Sequence, residues 1–468
     1  MDAVLLARIQ FAFTVGYHFL FVPISLGTGV FMLLAGRRWY KTQSENDKAG
    51  FLFWLKLFSL TFVIGIATGI TMEFAFGTNW ASYSRFVGDI FGAPLAAEAL
   101  FAFFLESTFL GVLLFGRGKV PRKFYYVSTW LVVCGALLSA LWIIIANSWQ
   151  QTPAGYTIQD GRAVLTHFWA AAFNPSTLPR YFHTAVSTFI AGSFMAAAVA
   201  IYYLKRKRHT EFAKKTLTTA IILGLVCSIA MPAIGDWQAR VVGEHQPAKM
   251  AAYEGLFKNE KDAGILIFGV MDTKNQTLHA KLAVPELLSW TLTGSKEGTV
   301  KGLESFPANE QPPLQATFAT YRTMVILGMY FVIVLLVGLY LLIRKKLFTS
   351  RRYLTVLMWS APLPMIAIEV GWFATEMGRQ PWIVQGLLKT KDAVSTVVPA
   401  GQILTTLIIF VVIYALLFYV WFRKMRKAIA TGPQESIDTG YGLTPAGAAA
   451  GAAGATGDIA AVTEEVKR

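Results

Sequence analysis

Glu376 and Arg379 lie three residues apart in GWFATEMGRQPW (371–382), between Trp372 and Trp382, where a long apolar run gives out. An acid and a guanidinium at that spacing share a helix face. They read as a structural ion pair, a helix-end anchor, or a site that holds something. Two histidines, His18 and His183, fall inside apolar runs, whereas His167, His209, His245 and His279 fall in polar connections. Met324, in TYRTMVILG, begins a further run, with Arg322 two residues before it. An imidazole opposite a thioether saturates a haem iron and raises its potential, and a neighbouring arginine can pair with haem propionates. Glu98 and Glu106 lie eight apart in GAPLAAEALFAFFLESTF, about 12 Å along a helix axis. Two carboxyls at different depths suit a proton path, because each can be neutral when buried and exchange protons with water chains. Hydrogen bonding to neighbouring helices is the plainer reading.

The surroundings of these groups follow from composition. Of 468 residues, 55% are hydrophobic and 15% charged, against about 25% charged in a soluble domain. The chain reads as a membrane protein, in which an ionisable group at depth costs several kcal/mol and is a functional candidate by default. The formal charge of +15 does not point to nucleic acid, because the basic residues cluster beside apolar runs and form no single stripe. Cys134 and Cys227 each lie inside an apolar run, so neither a disulfide framework nor a CxxC metal site is expected. The N-terminus lacks a basic region and a small-residue cleavage site, and no cleaved signal peptide is expected.

Crossing the hydrocarbon takes about 20 mostly apolar residues as a helix. Such runs lie near 10–35, 52–76, 93–115, 125–148, 182–204, 216–235, 320–343, 353–375 and 400–422. The fold class is therefore an all-α polytopic membrane protein with nine transmembrane helices in bundles. Connections after the odd-numbered runs carry the basic residues: Arg37, Arg38, Lys41 and Lys48; Arg117, Lys119, Arg122 and Lys123; Lys205 to Arg208, Lys214 and Lys215; Arg344 to Lys346, Arg351 and Arg352; Arg423, Lys424, Arg426 and Lys427. The opposite short connections hold Arg85, Arg162, Arg180 and little else. Positive residues mark the inner side, so the N-terminus is predicted outside and the C-terminus inside. Residues 1–235 then hold six spans, 236–319 a long outer segment, 320–425 three more spans, and 426–468 an inner tail. The small-residue run GAAAGAAGATG makes that tail a predicted disordered segment. On this topology His18, His183, Met324 and Glu376 gather toward the outer face, with His18 at roughly 14 Å depth.

Three motifs then resemble a known family. G-W-x-x-x-E-x-G-R-Q-P-W at 371–382, QPAKMAAYEG at 246–255 and the early His18 with FHTAVS at 182–187 occur in the order, and on the membrane sides, of subunit I of the cytochrome bd-type quinol oxidases. The resemblance covers nearly the whole chain up to about residue 425. It implies that His183 and Met324 ligate a low-spin haem b, and that His18 and Glu376 are the axial ligands of a high-spin haem b and a haem d, or a further haem b in its place. Which ligand serves which haem stays open, because members of the family differ in haem placement. Glu98, Glu106, Trp372 and Arg379 match positions around that haem pair, and Lys249 and Glu254 match the quinol-binding loop. The short interval before the seventh span resembles the short-loop branch.

The family implies oxidation of a membrane quinol at the outer face coupled to reduction of dioxygen to water. Protons would come from the cytoplasm past Glu106 and Glu98, with no pump. It also implies a bacterial plasma (inner) membrane location, a second subunit of homologous fold, and in some complexes a small single-helix chain. A haem-copper oxidase needs more intramembrane histidines than His18 and His183. A diquinol cytochrome b needs paired histidines on shared helices. A secondary transporter using Glu98 and Glu106 is the alternative from another class, and it predicts a colourless protein.

Overall fold

The computed structural model describes residues 2–434, so the end of the predicted tail, 435–468, lies outside the described residues. Among those described, nine helices of 29 to 40 residues are long and apolar enough to cross a membrane. They are Ala3–Thr42, Glu45–Gly77, Ala81–Phe115, Arg122–Gln151, Thr177–Lys205, Thr210–His245, Leu314–Ile343, Arg351–Arg379 and Ala400–Thr431, called here the first to ninth spans. Every predicted run falls inside one of them. The helices overrun the runs because polar and aromatic ends lower hydropathy without breaking the backbone. His18 is consequently fifteen residues beyond the start of its helix. The sixth span continues ten residues past 235. The ninth runs through the predicted tail boundary to Thr431, where Tyr203 Oη donates to Ile429 O at 2.7 Å and Arg208 to Ala430 O at 3.3 Å.

Three spans are interrupted, and the interruptions fall where the candidate residues lie. The first divides into Ala3–Phe19 and Val22–Thr42, with Pro23 opening the second piece just after His18. The third has Pro94 inside it, then a π-helical turn at Glu98–Phe103. The eighth breaks between Trp359 and Leu363, at Pro362, before the stretch that ends at Arg379. A broken helix frees backbone groups that lipid cannot satisfy, so such breaks persist only inside protein or along a cavity. π turns also cluster at functional sites.

The long segment before the seventh span is folded. Helix Pro247–Glu254 is buried, and strands Ile265–Asp272 and Thr277–Val284 form an antiparallel hairpin with two register shifts. Smaller hairpins follow the fourth span (Tyr156–Gln159 with Arg162–Leu165) and the eighth (Trp382–Val384 with Leu388–Lys389).

The first and fifth spans touch backbone to backbone: a Cβ on Gly27 would stand 2.5 Å from Gly192 Cα and 2.9 Å from Thr188 O. Small residues permit such approach between membrane helices. Gly27→Val should therefore cost about 3 kcal/mol or more, since backbone cannot yield as a side chain can. Gly401→Ala, with nothing within 4 Å, should be neutral. Thermal unfolding of the two variants in the same detergent checks this.

Candidate functional site

The interrupted spans surround one cavity of about 1840 Å³, roughly twice the upper end of the usual small-molecule range of about 300–1,000 Å³. His18, His183, Met324 and Glu376 all line it, from four different spans. His18 Nδ1 lies 2.9 Å from Thr68 Oγ1, whose own proton is taken by Ile64 O at 2.8 Å. Thr68 therefore accepts from Nδ1–H, which leaves the Nε2 lone pair of His18 for a metal. A Cβ on Gly69 would come within 3.3 Å of His18 Cε1, so a glycine there gives the ring its room. Met324 has the same arrangement, for a Cβ on Gly371 would stand 2.7 Å from its Sδ. Trp372 lines the cavity with Phe19, ring centroids 6.1 Å apart. Trp382 does not; it sits in a strand beneath Lys389, whose Nζ is 5.2 Å from its ring.

Glu376 and Arg379 do form the ion pair that their spacing allows, NH2 to Oε2 at 2.5 Å. The end of the fourth span, ANSWQQ (146–151), then gives one amide to each charged neighbour. Asn147 Nδ2 donates to Glu376 Oε1 at 2.9 Å, Gln150 Oε1 accepts from Arg379 at 2.8 Å, and Gln151 Oε1 accepts from Lys249 Nζ at 2.9 Å. Positions spaced by three and four share a helix face, so one face of the fourth span orients the whole cluster. Sequence reading passed over these amides because uncharged polar residues raise no cost signal.

Lys249 is only 2% exposed and is no solvent-facing loop residue. Its stem lies against Gly378, and its Nζ also donates to Thr375 O at 2.9 Å and Gln246 Oε1 at 3.4 Å. Its hydrogen-bonding acceptors are therefore uncharged, and burial, with the nearby Arg180 guanidinium, holds the amine well below the ordinary lysine range. Lys249 is not on the cavity wall, whereas Glu254 is.

Arg322 differs from expectation more sharply. Its guanidinium pairs with Glu254 Oε1 at 2.5 Å and also donates to the carbonyls of Tyr253 and Leu266. Glu254 Oε2 accepts from Leu266 N at 3.0 Å, and the rings of Tyr253 and Tyr321 stack at 4.1 Å. Arg322 is thus occupied by the long segment and is absent from the cavity lining, so it is not placed to meet a propionate.

Both third-span acids line the cavity. Eight residues on a regular helix would turn them about 80° apart; the intervening π turn unwinds the helix between them. Glu98 Oε1 accepts from Ser139 Oγ at 2.7 Å, while Oε1 of buried Glu106 has no partner. Glu73 of the second span joins them on the wall and was not singled out from sequence, although an acid inside FVIGIATGITMEFAFG carried the same signal.

A family model described as cytochrome bd terminal oxidase subunit I matches residues 6–433. The chain belongs to that family. It is 40% identical over 441 residues to the cytochrome bd ubiquinol oxidase subunit 1 of Bacillus subtilis (strain 168), covering 91% of this chain and 94% of that one. It is 34% identical, over an alignment of 508 positions, to the cytochrome bd-II ubiquinol oxidase subunit 1 of Escherichia coli (strain K12), covering 92% and 97%. The bd oxidase of Geobacillus thermodenitrificans superposes with a TM-score of 0.86 at 27% identity, covering 92% of this chain and 99% of that chain. This bd oxidase subunit is a multi-pass bacterial membrane protein of a haem-containing terminal quinol oxidase. Membership sets aside the transporter reading.

The cavity suits haem by its donors. His183 Nδ1, Arg180 Nε and NH2, and Arg379 Nε are buried polar atoms without a partner, and such atoms are rare unless a ligand completes them. Arg180 is 6% exposed, on the cavity wall, one turn before His183 in TLPRYFHT. Its guanidinium, unlike that of Arg322, faces the cavity with nitrogens that have no partner. Its spacing of three from His183 is a readable sign, but the apolar run begins only at 182, whereas the helix begins at Thr177.

Proposed function

We propose that this bd oxidase subunit oxidises a membrane quinol at its outer face and reduces dioxygen to water with protons from the cytoplasm, without pumping. Haem iron supplies the electron relay and the oxygen chemistry, and the protein supplies spacing, electrostatics and access. His183 and Met324 would hold the low-spin haem b, with Arg180 facing its propionates. His18 and Glu376 would hold the high-spin haem b and the haem d, or a further haem b. The observation carrying this is that four candidate ligands from four spans line one cavity with partnerless guanidinium nitrogens beside them.

Quinol would dock where Glu254 reaches the cavity wall beside Tyr253 and Met250, an apolar wall with one carboxylate to take a proton. Lys249 would act through the helix it anchors to the eighth span. The basic connections support an N-terminus outside and a C-terminus inside, which would put the long segment outside. Proton release at the quinol end and uptake at the oxygen end would then separate charge. Glu106 and Glu98, on one wall of the cavity, would carry the incoming protons. A second subunit of homologous fold, with or without a small single-helix chain, would cover the remaining bundle surface.

A reduced-minus-oxidised spectrum with pyridine haemochrome analysis, beside quinol-driven oxygen consumption, tests the whole reading. A purified complex without haem would overturn it. For the proton route, Glu106→Gln should slow oxygen reduction about 100-fold or more, the usual scale of losing a positioned proton donor. Haem content should remain, since no ligand is lost. Full turnover with normal membrane-potential generation would make Glu106 a packing residue.

A further inference from the structure

A second, smaller pocket of about 390 Å³ lies at the end of the bundle that carries the basic connections. It opens between the turn joining the first two spans and the connection joining the third and fourth. Its lining holds three cations, Lys48, Arg117 and Arg122, and no carboxylate. The wall is aromatic: Tyr40 and Tyr126 stack with centroids 4.6 Å apart, and the Arg122 guanidinium lies 5.0 Å from the Tyr40 ring. Arg122 NH2 also donates to Tyr40 O at 2.5 Å, which fixes its reach. Lys48 Nζ is bonded to Glu45 at 2.8 Å, and that carboxylate is itself 60% exposed.

None of the candidate haem, quinol or proton residues lines this pocket, and its chemistry is that of an anion site. We propose that it binds the phosphodiester head group of an anionic glycerophospholipid. Basic pockets between spans at the Lys/Arg-rich side suit such head groups, and each cation contributes about 1 kcal/mol near an anionic surface. The lipid source is favoured over a free phosphate by what lies beneath. Arg122, Tyr126 and Trp130 are spaced by four and make one stripe of the fourth span. That stripe passes from a cation through an aromatic ring to a tryptophan 44% exposed. Cation, aromatic belt and apolar surface in that order match head group, interface and acyl chain. A soluble anion would use only the first.

The test uses the purified haem-loaded complex in nanodiscs of dioleoylphosphatidylcholine, with and without dioleoylphosphatidylglycerol. Hydrogen exchange is followed in segments 38–48 and 116–126, and retained lipid by native mass spectrometry. Phosphatidylglycerol should protect both segments and be retained preferentially. Arg117→Gln with Arg122→Gln should weaken this about twenty-five-fold, two factors of about five, with the haem spectrum unchanged. If that double variant does not assemble, Lys48→Gln should show a single factor of about five. Equal protection by phosphatidylcholine alone overturns the proposal, as does unchanged phosphatidylglycerol retention in the assembled variant. Equal protection by inorganic phosphate in phosphatidylcholine discs would make it a soluble-anion site and overturn the lipid.

Discussion

His183→Ala or Met324→Leu should remove the low-spin haem b band and cut quinol oxidation by more than the 10- to 100-fold typical of losing only a ligand's supporting partner (about that range). Both residues line the cavity from different spans, and His183 Nδ1 is buried without a partner. Loss of either axial donor leaves an iron that is neither saturated nor raised in potential. Two neighbours give graded versions of the same result. Gly371→Ala would put a Cβ 2.7 Å from Met324 Sδ, displacing the thioether without deleting it, so the band should shift or weaken. Arg180→Gln keeps both donors and removes a charge, so the band should stay while the midpoint potential falls. Oxygen chemistry at the other haems, driven by artificial reductant, should partly survive wherever they assemble. The check is the reduced-minus-oxidised spectrum beside quinol turnover in one preparation. An unchanged low-spin band in both ligand variants would remove His183 and Met324 from the ligand set.

What the sequence made legible was depth; what it hid was partner and direction. Hydropathy locates where a helix enters lipid, and every one of the nine predicted runs lies inside an observed helix. An ionisable residue within such a run announces itself by cost, which is how His18, His183, Glu98 and Glu106 stood out, with Glu376 at the edge of its run. Arg322 was equally visible, but the side chain it meets is 68 residues away at Glu254. No periodicity encodes that meeting, so a buried interhelical pair looked like a free cation near a haem. The burial of Lys249 was hidden for the complementary reason: a lysine in a polar connection gives no sign that the connection folds down against Gly378. The π turn at Glu98–Phe103 was illegible because nothing in EALFAF departs from good helix composition. Prolines at 23 and 362 stand at helix breaks and Pro94 precedes the π turn, but Pro232 lies inside an unbroken sixth span, so proline alone does not mark the interruptions that frame the cavity.

Glu254→Met and the double variant Glu254→Met with Arg322→Met should separate the two things Glu254 does. In the single variant Arg322, 4% exposed, keeps its charge and loses its carboxylate. Breaking a buried pair from one side costs about 3–5 kcal/mol, so this variant should lose the most stability. Removing both partners is much milder in general, but here Arg322 also donates to Tyr253 O and Leu266 O. Leaving each such carbonyl unsatisfied costs about 1–3 kcal/mol. The double variant should therefore recover only part of the lost unfolding temperature. Quinol turnover should not recover with it, because the other acid on that part of the cavity wall, Asp236 of the sixth span, is already paired with Arg240. Carbon monoxide binding to the chemically reduced complex should persist in the double variant, since on the proposed assignment that site would draw on His18, Glu376 and the third span. Turnover returning together with stability would make Glu254 a purely structural partner of Arg322, and the quinol site would have to be sought elsewhere on the cavity wall.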